Sequence, residues 1–122
     1  MSFVRILNLT RPEQPVLRVR VCDTFFSRFQ GLMLTPAVDI HGGILLDEKA
    51  DGRVNTAIHM FFMRYDIAAI WIGADLSVVD SVVARRWRPY YAPAKPARYI
   101  LETHPDRAGD FHPGDRVKFV HE

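Results

Sequence analysis

The sequence predicts a mainly β protein: a single compact domain over residues 1–122, folded as a largely antiparallel sandwich or a partly closed barrel with one or two short helices. Three observations support this prediction. The length of 122 residues suits one domain, and 48% apolar residues are enough for a core and too many for a disordered chain. Short apolar runs alternate with polar residues at a period of two, and Gly and Pro separate these runs.

The chain is predicted to begin with a β-hairpin. Residues 16–22 read VLRVRVC, which places apolar side chains on one face of a strand and two arginines on the other. Residues 3–9 show a looser form of the same alternation. The segment RPEQP at residues 11–15 predicts the turn between them, because proline cannot sit inside a strand ladder.

A short helix and a short strand are predicted next. Asp23 or the following threonine can cap the amino terminus of a helix over residues 23–30, and Gly31 suits the left-handed residue at its end. A glycine pair then introduces a brief apolar strand at residues 44–46. The polar segment 47–55 predicts a loop.

The middle of the sequence predicts the core strands. Residues 58–63 and 67–72 are apolar at both alternating positions, which indicates strands buried on both faces, with a bend at residues 64–66. The Gly-Ala-Asp turn at residues 73–75 leads into a Val-rich strand over residues 76–84. These features predict an antiparallel hairpin.

The last third predicts a long loop followed by two strands. Three prolines place residues 85–96 in a surface loop, and residues 97–102 resume a strand pattern. One helical turn is predicted at residues 105–109. The sequence HPGD predicts a type II turn before the last strand, at residues 116–120.

Several classes of protein are disfavoured. The longest apolar runs fall far short of the roughly 20 residues of a membrane span, and the first ten residues lack the apolar core of a signal peptide. We therefore expect a cytoplasmic protein without membrane contact. The lone cysteine, Cys22, cannot form an internal disulfide and is expected to be a core residue, with activation beside the predicted helix as the alternative. The net charge of +2 indicates a ligand only if positive residues cluster.

The sequence carries no established motif for a cofactor. It contains no glycine-rich dinucleotide loop, no phosphate-binding loop and no serine nucleophile elbow. Five potential metal ligands lie close together near the end of the chain, but their spacing matches no known signature, and solvated turn residues are the default interpretation. These are His104, Asp106, Asp110, His112 and Asp115. We expect no metal and no cofactor.

A basic aromatic loop is the most distinctive stretch of the sequence. It has no acidic residue between Ser81 and Leu101. Three interpretations remain open: structural cover over the end of a sheet, contact with a small ligand or sugar, and binding of single-stranded nucleic acid by stacked rings and phosphate-binding arginines. The basic residues are Arg85, Arg86, Arg88, Lys95 and Arg98, and the rings are Trp87, Tyr90, Tyr91 and Tyr99.

Five short motifs, taken in order, resemble the domain of unknown function 192 (DUF192) family. The resemblance spans about residues 16–120 and implies a compact, mainly β domain without an agreed activity. The motifs are Gly31-Leu32-Met33, Gly43-Ile44-Leu45-Leu46, Ile58-His59-Met60-Phe61-Phe62-Met63-Arg64, Tyr99-Ile100-Leu101-Glu102 and Gly114-Asp115-Arg116-Val117.

The chain departs from the pattern of that family at two places. Members typically carry an aspartate at the position of Ala68, so Asp66 is the candidate substitute if it emerges on the same face of a strand. Leu46 stands where members carry an aromatic residue. If the missing carboxylate serves chemistry in relatives, this chain has lost it.

These observations predict a small ligand-binding β domain whose ligand is small and anionic or polar. The candidate site consists of Gly31, Met33, His59, Phe62, Met63, Arg64, Arg86, Trp87 and Tyr91. One alternative is an enzyme that uses His59 and Asp66 as a proton-transfer pair. The other is a binder of single-stranded nucleic acid through the loop 85–99. The sequence leaves the oligomeric state open.

Overall fold

The computed structural model describes residues 2–23 and 37–122, which form one seven-stranded sheet and one short 3₁₀ helix. The strands are β1 (Phe3–Asn8), β2 (Leu17–Cys22), β3 (Gly43–Gly52), β4 (Ile67–Ile72), β5 (Val78–Ala84), β6 (Ala97–Thr103) and β7 (Val117–His121), and the 3₁₀ helix is Pro105–Asp110. Within these described ranges, no helix has the length and apolar character needed to cross a membrane.

The sheet curls into a half-barrel. Its strand order is β5-β4-β6-β3-β2-β1-β7, and β2–β3 is the parallel pair in an otherwise antiparallel set of pairings. The two edge strands approach each other at one end, where Val78 N donates to Asp115 O at 2.8 Å and Val117 N donates to Leu76 O at 3.0 Å. The predicted mainly β, largely antiparallel and partly closed barrel is therefore confirmed.

Both faces of the sheet are buried at its central strands. β4 runs through the middle of the fold, and every one of its side chains is buried. Its even-numbered residues pack inside the barrel, and its odd-numbered residues pack on the outer face. The interior cluster contains Val4, Ile6, Leu17, Val19, Leu45, Ala68, Ile70, Ile72, Val78, Leu101, Phe111 and Val117. The outer cluster contains Cys22, Ile44, Leu46, Ile58, Met60, Met63, Ile67, Ala69, Trp71, Ala84, Ala97 and Ile100.

The segment before β4 covers the outer face and is not the strand predicted at residues 58–63. Ile58 makes one isolated bridge to Tyr91, with N···O distances of 2.8 and 2.9 Å. The chain then turns, because Met63 N donates to Met60 O and Phe62 has a φ of +63°. A left-handed residue cannot continue an extended strand, so these apolar side chains are buried without a ladder.

β3 continues to Gly52, where the sequence predicted a loop from residue 47. The sequence pattern does not predict this part of the strand, because its side chains are polar. Asp47 instead forms an ion pair with Arg98 on β6, with Arg98 Nε 3.0 Å from Asp47 Oδ1. The ladder shifts register between Asp47 and Gly52, and Lys49 has a φ of +69° there. The apolar alternation that marks other strands is therefore missing from this part of β3.

The remaining element predictions agree with the structure. The opening hairpin, the β4–β5 hairpin, the irregular loop 85–96, the last two strands and the helical turn after residue 104 are all present. Gly114 has the predicted positive φ, at +93°. The helix predicted over residues 23–30 lies outside the described residues apart from Asp23.

Two residues of the sequence motifs have structural roles. Gly43 has a φ of +144°, and a Cβ there would lie 2.2 Å from Glu102 O on the neighbouring strand, so only glycine fits. Cys22 is fully buried, and burial raises the pKa of its thiol. The cysteine is a core residue, as expected from the sequence.

Candidate functional site

Three neighbouring strands, β4, β5 and β6, bring polar side chains together where their ends meet. Ile67 at the start of β4 pairs with Ala84 at the end of β5, and Ala68 pairs with Thr103 at the end of β6. The residues just before β4, just after β5 and just after β6 therefore meet. They line a cleft of about 350 Å³, here called the basic cleft, whose walls are Ala37, Val38, Arg64, Tyr65, Asp66, Arg86, His104 and Pro105.

The basic cleft holds more positive than negative charge. Arg64 is exposed, and the part of the chain that the structure describes contains no ion pair or hydrogen bond to its guanidinium. Asp66 contacts Arg86. Its Oδ1 accepts a hydrogen bond from the backbone N of Arg86 at 2.9 Å and lies 3.9 Å from Nη1 of the same arginine. The cleft lining thus contains two guanidinium groups and one carboxylate, and the guanidinium of Arg64 is available to an anion.

His104 adds a hydrogen-bond donor to the basic cleft. Its Nδ1 accepts a hydrogen bond from Asp106 N at 3.1 Å, where His104 caps the 3₁₀ helix. Because Nδ1 accepts, the proton of the neutral imidazole sits on Nε2. The second ring nitrogen can therefore donate to an oxygen of a bound anion.

The sequence-predicted site residues divide into four groups. Arg64 and Arg86 line the basic cleft. Met63 is buried in the outer cluster, and Tyr91 packs against the same cluster while its hydroxyl accepts from Arg85 N at 2.9 Å. Gly31 and Met33 lie outside the described residues.

The other three predicted residues lie away from the walls of the basic cleft. Phe62 and Trp87 are about half exposed, and their rings contact each other with centroids 5.2 Å apart. His59 is half-buried, and its ring lies 5.9 Å from the ring of Phe61. Because Asp66 bonds to Arg86, the described contacts give no support to a His59–Asp66 proton-transfer pair.

Asp66 does not occupy the place of the carboxylate missing at residue 68. Ala68 lies in β4 with its side chain in the apolar interior, opposite Thr103. Asp66 precedes β4 and faces the basic cleft. A carboxylate at residue 68 would lie inside the barrel, whereas the carboxylate of Asp66 lies at the basic cleft.

The polar cluster at residues 104–115 is used for structure. Asp110 pairs with Arg107, and Asp115 accepts hydrogen bonds from Asn8 and Arg11. Among residues 2–23 and 37–122, no three His, Cys, Asp or Glu side chains are arranged to hold a metal ion.

The candidate site predicted from the sequence did not include Tyr65 and His104, and His104 was considered there only as a potential metal ligand. The signal was available in part, because His104 directly follows a predicted strand. Its relation to Arg64 and Arg86 depends on β4 lying between β5 and β6, which one-dimensional patterns do not reveal.

Comparisons with known proteins agree on the family and on the fold. The sequence profile of the DUF192 family, described as uncharacterized ACR, matches residues 7–119. A UPF0127 protein of Thermococcus sibiricus is 43% identical over 98 residues, which cover 80% of this chain and 62% of that protein. A UPF0127 protein of Pyrococcus furiosus is 34% identical over 97 residues, which cover 80% of each chain.

A solved structure shares the fold. It comes from Sinorhizobium meliloti 1021 and carries a provisional description as a transcription regulator. The TM-score is 0.82 at 20% identity, covering 97% of this chain and 92% of the other. The chain spans about three fifths of the length of the Thermococcus relatives that it matches.

Proposed function

Because this chain belongs to the DUF192 family, which is described as uncharacterized, we propose its function from the geometry of its own residues: it binds a small anion in the basic cleft. The observation that carries the proposal is the convergence of Arg64 and Arg86 from separate segments on one cleft. The cleft lining carries two guanidiniums and one carboxylate, and this net positive charge favours binding of an anionic group.

The donor set favours a carboxylate or phosphate group. A guanidinium offers a planar pair of N–H donors that matches two oxygens of either group. The Nε2–H of His104 offers a third direction of donation. With a volume of about 350 Å³, the cleft suits a ligand of metabolite size.

Asp66 contributes to selectivity. Its carboxylate holds the backbone of Arg86 and thereby positions that arginine at the cleft. It also places a negative charge at the rim, which disfavours ligands of high negative charge and favours those with a hydrogen-bond donor near the anionic group. The ligand class that fits best is therefore a small hydroxy or amino acid.

We predict that Arg64→Ala weakens anion binding by roughly 10- to 150-fold, which corresponds to the loss of one charged hydrogen-bonding partner. Because Arg64 is exposed and makes no described contact, the melting temperature of the Arg64→Ala variant should stay within about 2 °C of wild type. Thermal shift and titration calorimetry against inorganic phosphate, phosphoserine, lactate and citrate measure both quantities.

Lys118→Ala is the matched control, because Lys118 is an exposed cation on β7 outside the basic cleft. Arg64→Lys should restore part of the affinity, since charge remains and the planar fork is lost. A melting temperature far below wild type for Arg64→Ala would instead make Arg64 structural. Equal anion binding by wild type, Arg64→Ala and Arg86→Ala would contradict the proposal.

A further inference from the structure

We propose that a second surface of this protein binds single-stranded nucleic acid. The surface is formed by Phe62, Arg85, Trp87, Arg88 and Tyr90 and is called the aromatic–arginine patch below. It uses none of the residues that line the basic cleft, so the two proposals stand or fall separately.

The rings of the aromatic–arginine patch are unusually exposed. The exposed fractions are 53% for Phe62, 54% for Trp87 and 60% for Tyr90. Exposed apolar side chains that are grouped on one surface are typical of interaction sites. Phe62 and Trp87 also contact each other, with ring centroids 5.2 Å apart and planes tilted by 59°, so they present one continuous aromatic surface.

The backbone holds two of these rings in a strained arrangement. Phe62 and Trp87 have φ angles of +63° and +67°, a region that bulky side chains rarely adopt. Hydrogen bonds between the two loops maintain it: Trp87 N donates to Met60 O at 2.7 Å, and Met60 N donates to Arg88 O at 3.0 Å. Strain of this kind is concentrated at binding sites, where it fixes groups in advance of the ligand.

The charges of the patch are available to an anionic partner. The guanidinium of Arg85 is exposed and has no ion pair or hydrogen bond within the described residues. Arg88 meets the hydroxyl of Tyr91 at 3.4 Å and lies 5.6 Å from the centroid of its ring, and neither contact neutralises its charge. A polyanion gains from both cations.

The order of groups favours a single nucleic-acid strand over other polyanions. Rings and guanidiniums lie close together in one short loop, with Trp87 and Tyr90 on either side of Arg88, and bases and phosphates lie close together in a single strand. A bilayer surface would instead be met by an apolar tip with cations behind it. A duplex keeps its bases stacked inside and offers no free base to these rings.

The experiment measures fluorescence anisotropy of labelled oligothymidine of roughly 12 nucleotides, a length within the usual site size of single-strand binding modules. Wild-type protein should bind, and its affinity should fall roughly sevenfold between about 50 and 200 mM salt if two phosphates are contacted. The same sequence as a duplex, and vesicles of anionic lipid, are titrated in parallel.

Tryptophan emission gives a second readout, because the chain has two tryptophans and Trp71 is fully buried. Stacking of a base on the exposed Trp87 should quench its emission. Trp87→Ala should remove the quenching and weaken binding roughly 5- to 150-fold. Leu9→Ala is the matched control, since Leu9 is equally exposed at 54% and lies after β1.

Each outcome decides the proposal. Salt-dependent binding that is weakened by Trp87→Ala and Phe62→Ala, with Leu9→Ala at wild-type affinity, supports it. Binding that both ring variants leave unchanged reflects general electrostatics and overturns it. Absence of oligonucleotide binding, equal binding to the duplex, or binding to anionic vesicles alone also overturns it.

Discussion

Replacing Arg107 with alanine is expected to lower the free energy of unfolding by about 3–5 kcal/mol, the usual cost of breaking a buried ion pair from one side. Arg107 lies in the six-residue 3₁₀ helix Pro105–Asp110 and is only 4% exposed. Its side chain bonds to Asp110 and to the backbone oxygens of Ile40 and Pro15. One guanidinium therefore ties three separate segments together.

The loss is large because all three acceptors lose their partner together. Each hydrogen bond of a charged group contributes about 1.5–3 kcal/mol. Water can partly replace the lost partner, because Ile40 and Pro15 are exposed residues and the Asp110 side chain is 19% exposed, so the expected loss is smaller than the sum of three bonds. Thermal and urea unfolding of Arg107→Ala and Arg107→Lys measure the effect. Lysine keeps the charge but offers a single ammonium in place of a planar fork, so we expect an intermediate stability.

A double-mutant cycle with Asp110→Ala separates the ion pair from the backbone contacts. We expect the double variant to be more stable than the sum of the two single losses predicts, since removing both partners leaves no unpaired charge. Strictly additive losses would mean that Arg107 stabilises the fold through Ile40 and Pro15 alone.

The fold was largely readable from the sequence where apolar side chains alternate with polar ones. β2 follows this rule, whereas the unbroken apolar run of β4 predicts a strand that is buried on both faces. The rule fails for β3 beyond Asp47, because an ion pair to Arg98 replaces apolar packing there. It also fails at residues 58–63, because burial without a ladder produces the same composition as a strand.

The candidate site was predictable in its chemistry but not in its assembly. Arg64 and Arg86 stand out because each follows or precedes a strong strand pattern. Which other side chains join them depends on the long-range order of strands, and His104 enters only because β6 lies beside β4. The exposed positions of Phe62 and Trp87 depend on positive φ values that their residue types disfavour, so no local signal announces them.

Asp115, in the Gly-Asp-Arg-Val motif that leads into β7, is expected to be the second polar residue on which the stability of the fold depends strongly. Its Oδ2 accepts hydrogen bonds from Asn8 Nδ2 at 2.9 Å, from Arg11 Nε at 3.0 Å and from His112 N at 3.0 Å. Its backbone oxygen also accepts from Val78 N, where the edges of the half-barrel meet. Asp115→Ala leaves three donors without their acceptor.

We expect Asp115→Ala to lower the free energy of unfolding by about 2–4 kcal/mol, with a fall in melting temperature of roughly 8–16 °C for a domain of this size. Asp115→Asn keeps one acceptor oxygen and loses the charge, so it should fall between alanine and wild type. Asp106→Ala is the matched control, because that carboxylate is exposed on the same stretch of chain. Equal stability of Asp115→Ala and Asp106→Ala would rule out a structural role for the Asp115 carboxylate.

The same contacts set the response of this protein to acid. Burial alone raises the pKa of Asp115, but the hydrogen bonds from Asn8 and His112 and the charge of Arg11 outweigh it, so the pKa lies below its ordinary value of 3.8. A carboxylate with a lowered pKa stabilises the folded state fully above the unfolded value, and this stabilisation is lost as the pH falls below about 3.8 toward the folded value. Melting temperatures from about pH 7 to pH 2 should therefore fall less steeply for Asp115→Asn than for wild type. Parallel curves for the two proteins would show that other carboxylates, such as Asp47 with its own lowered pKa, carry the acid response.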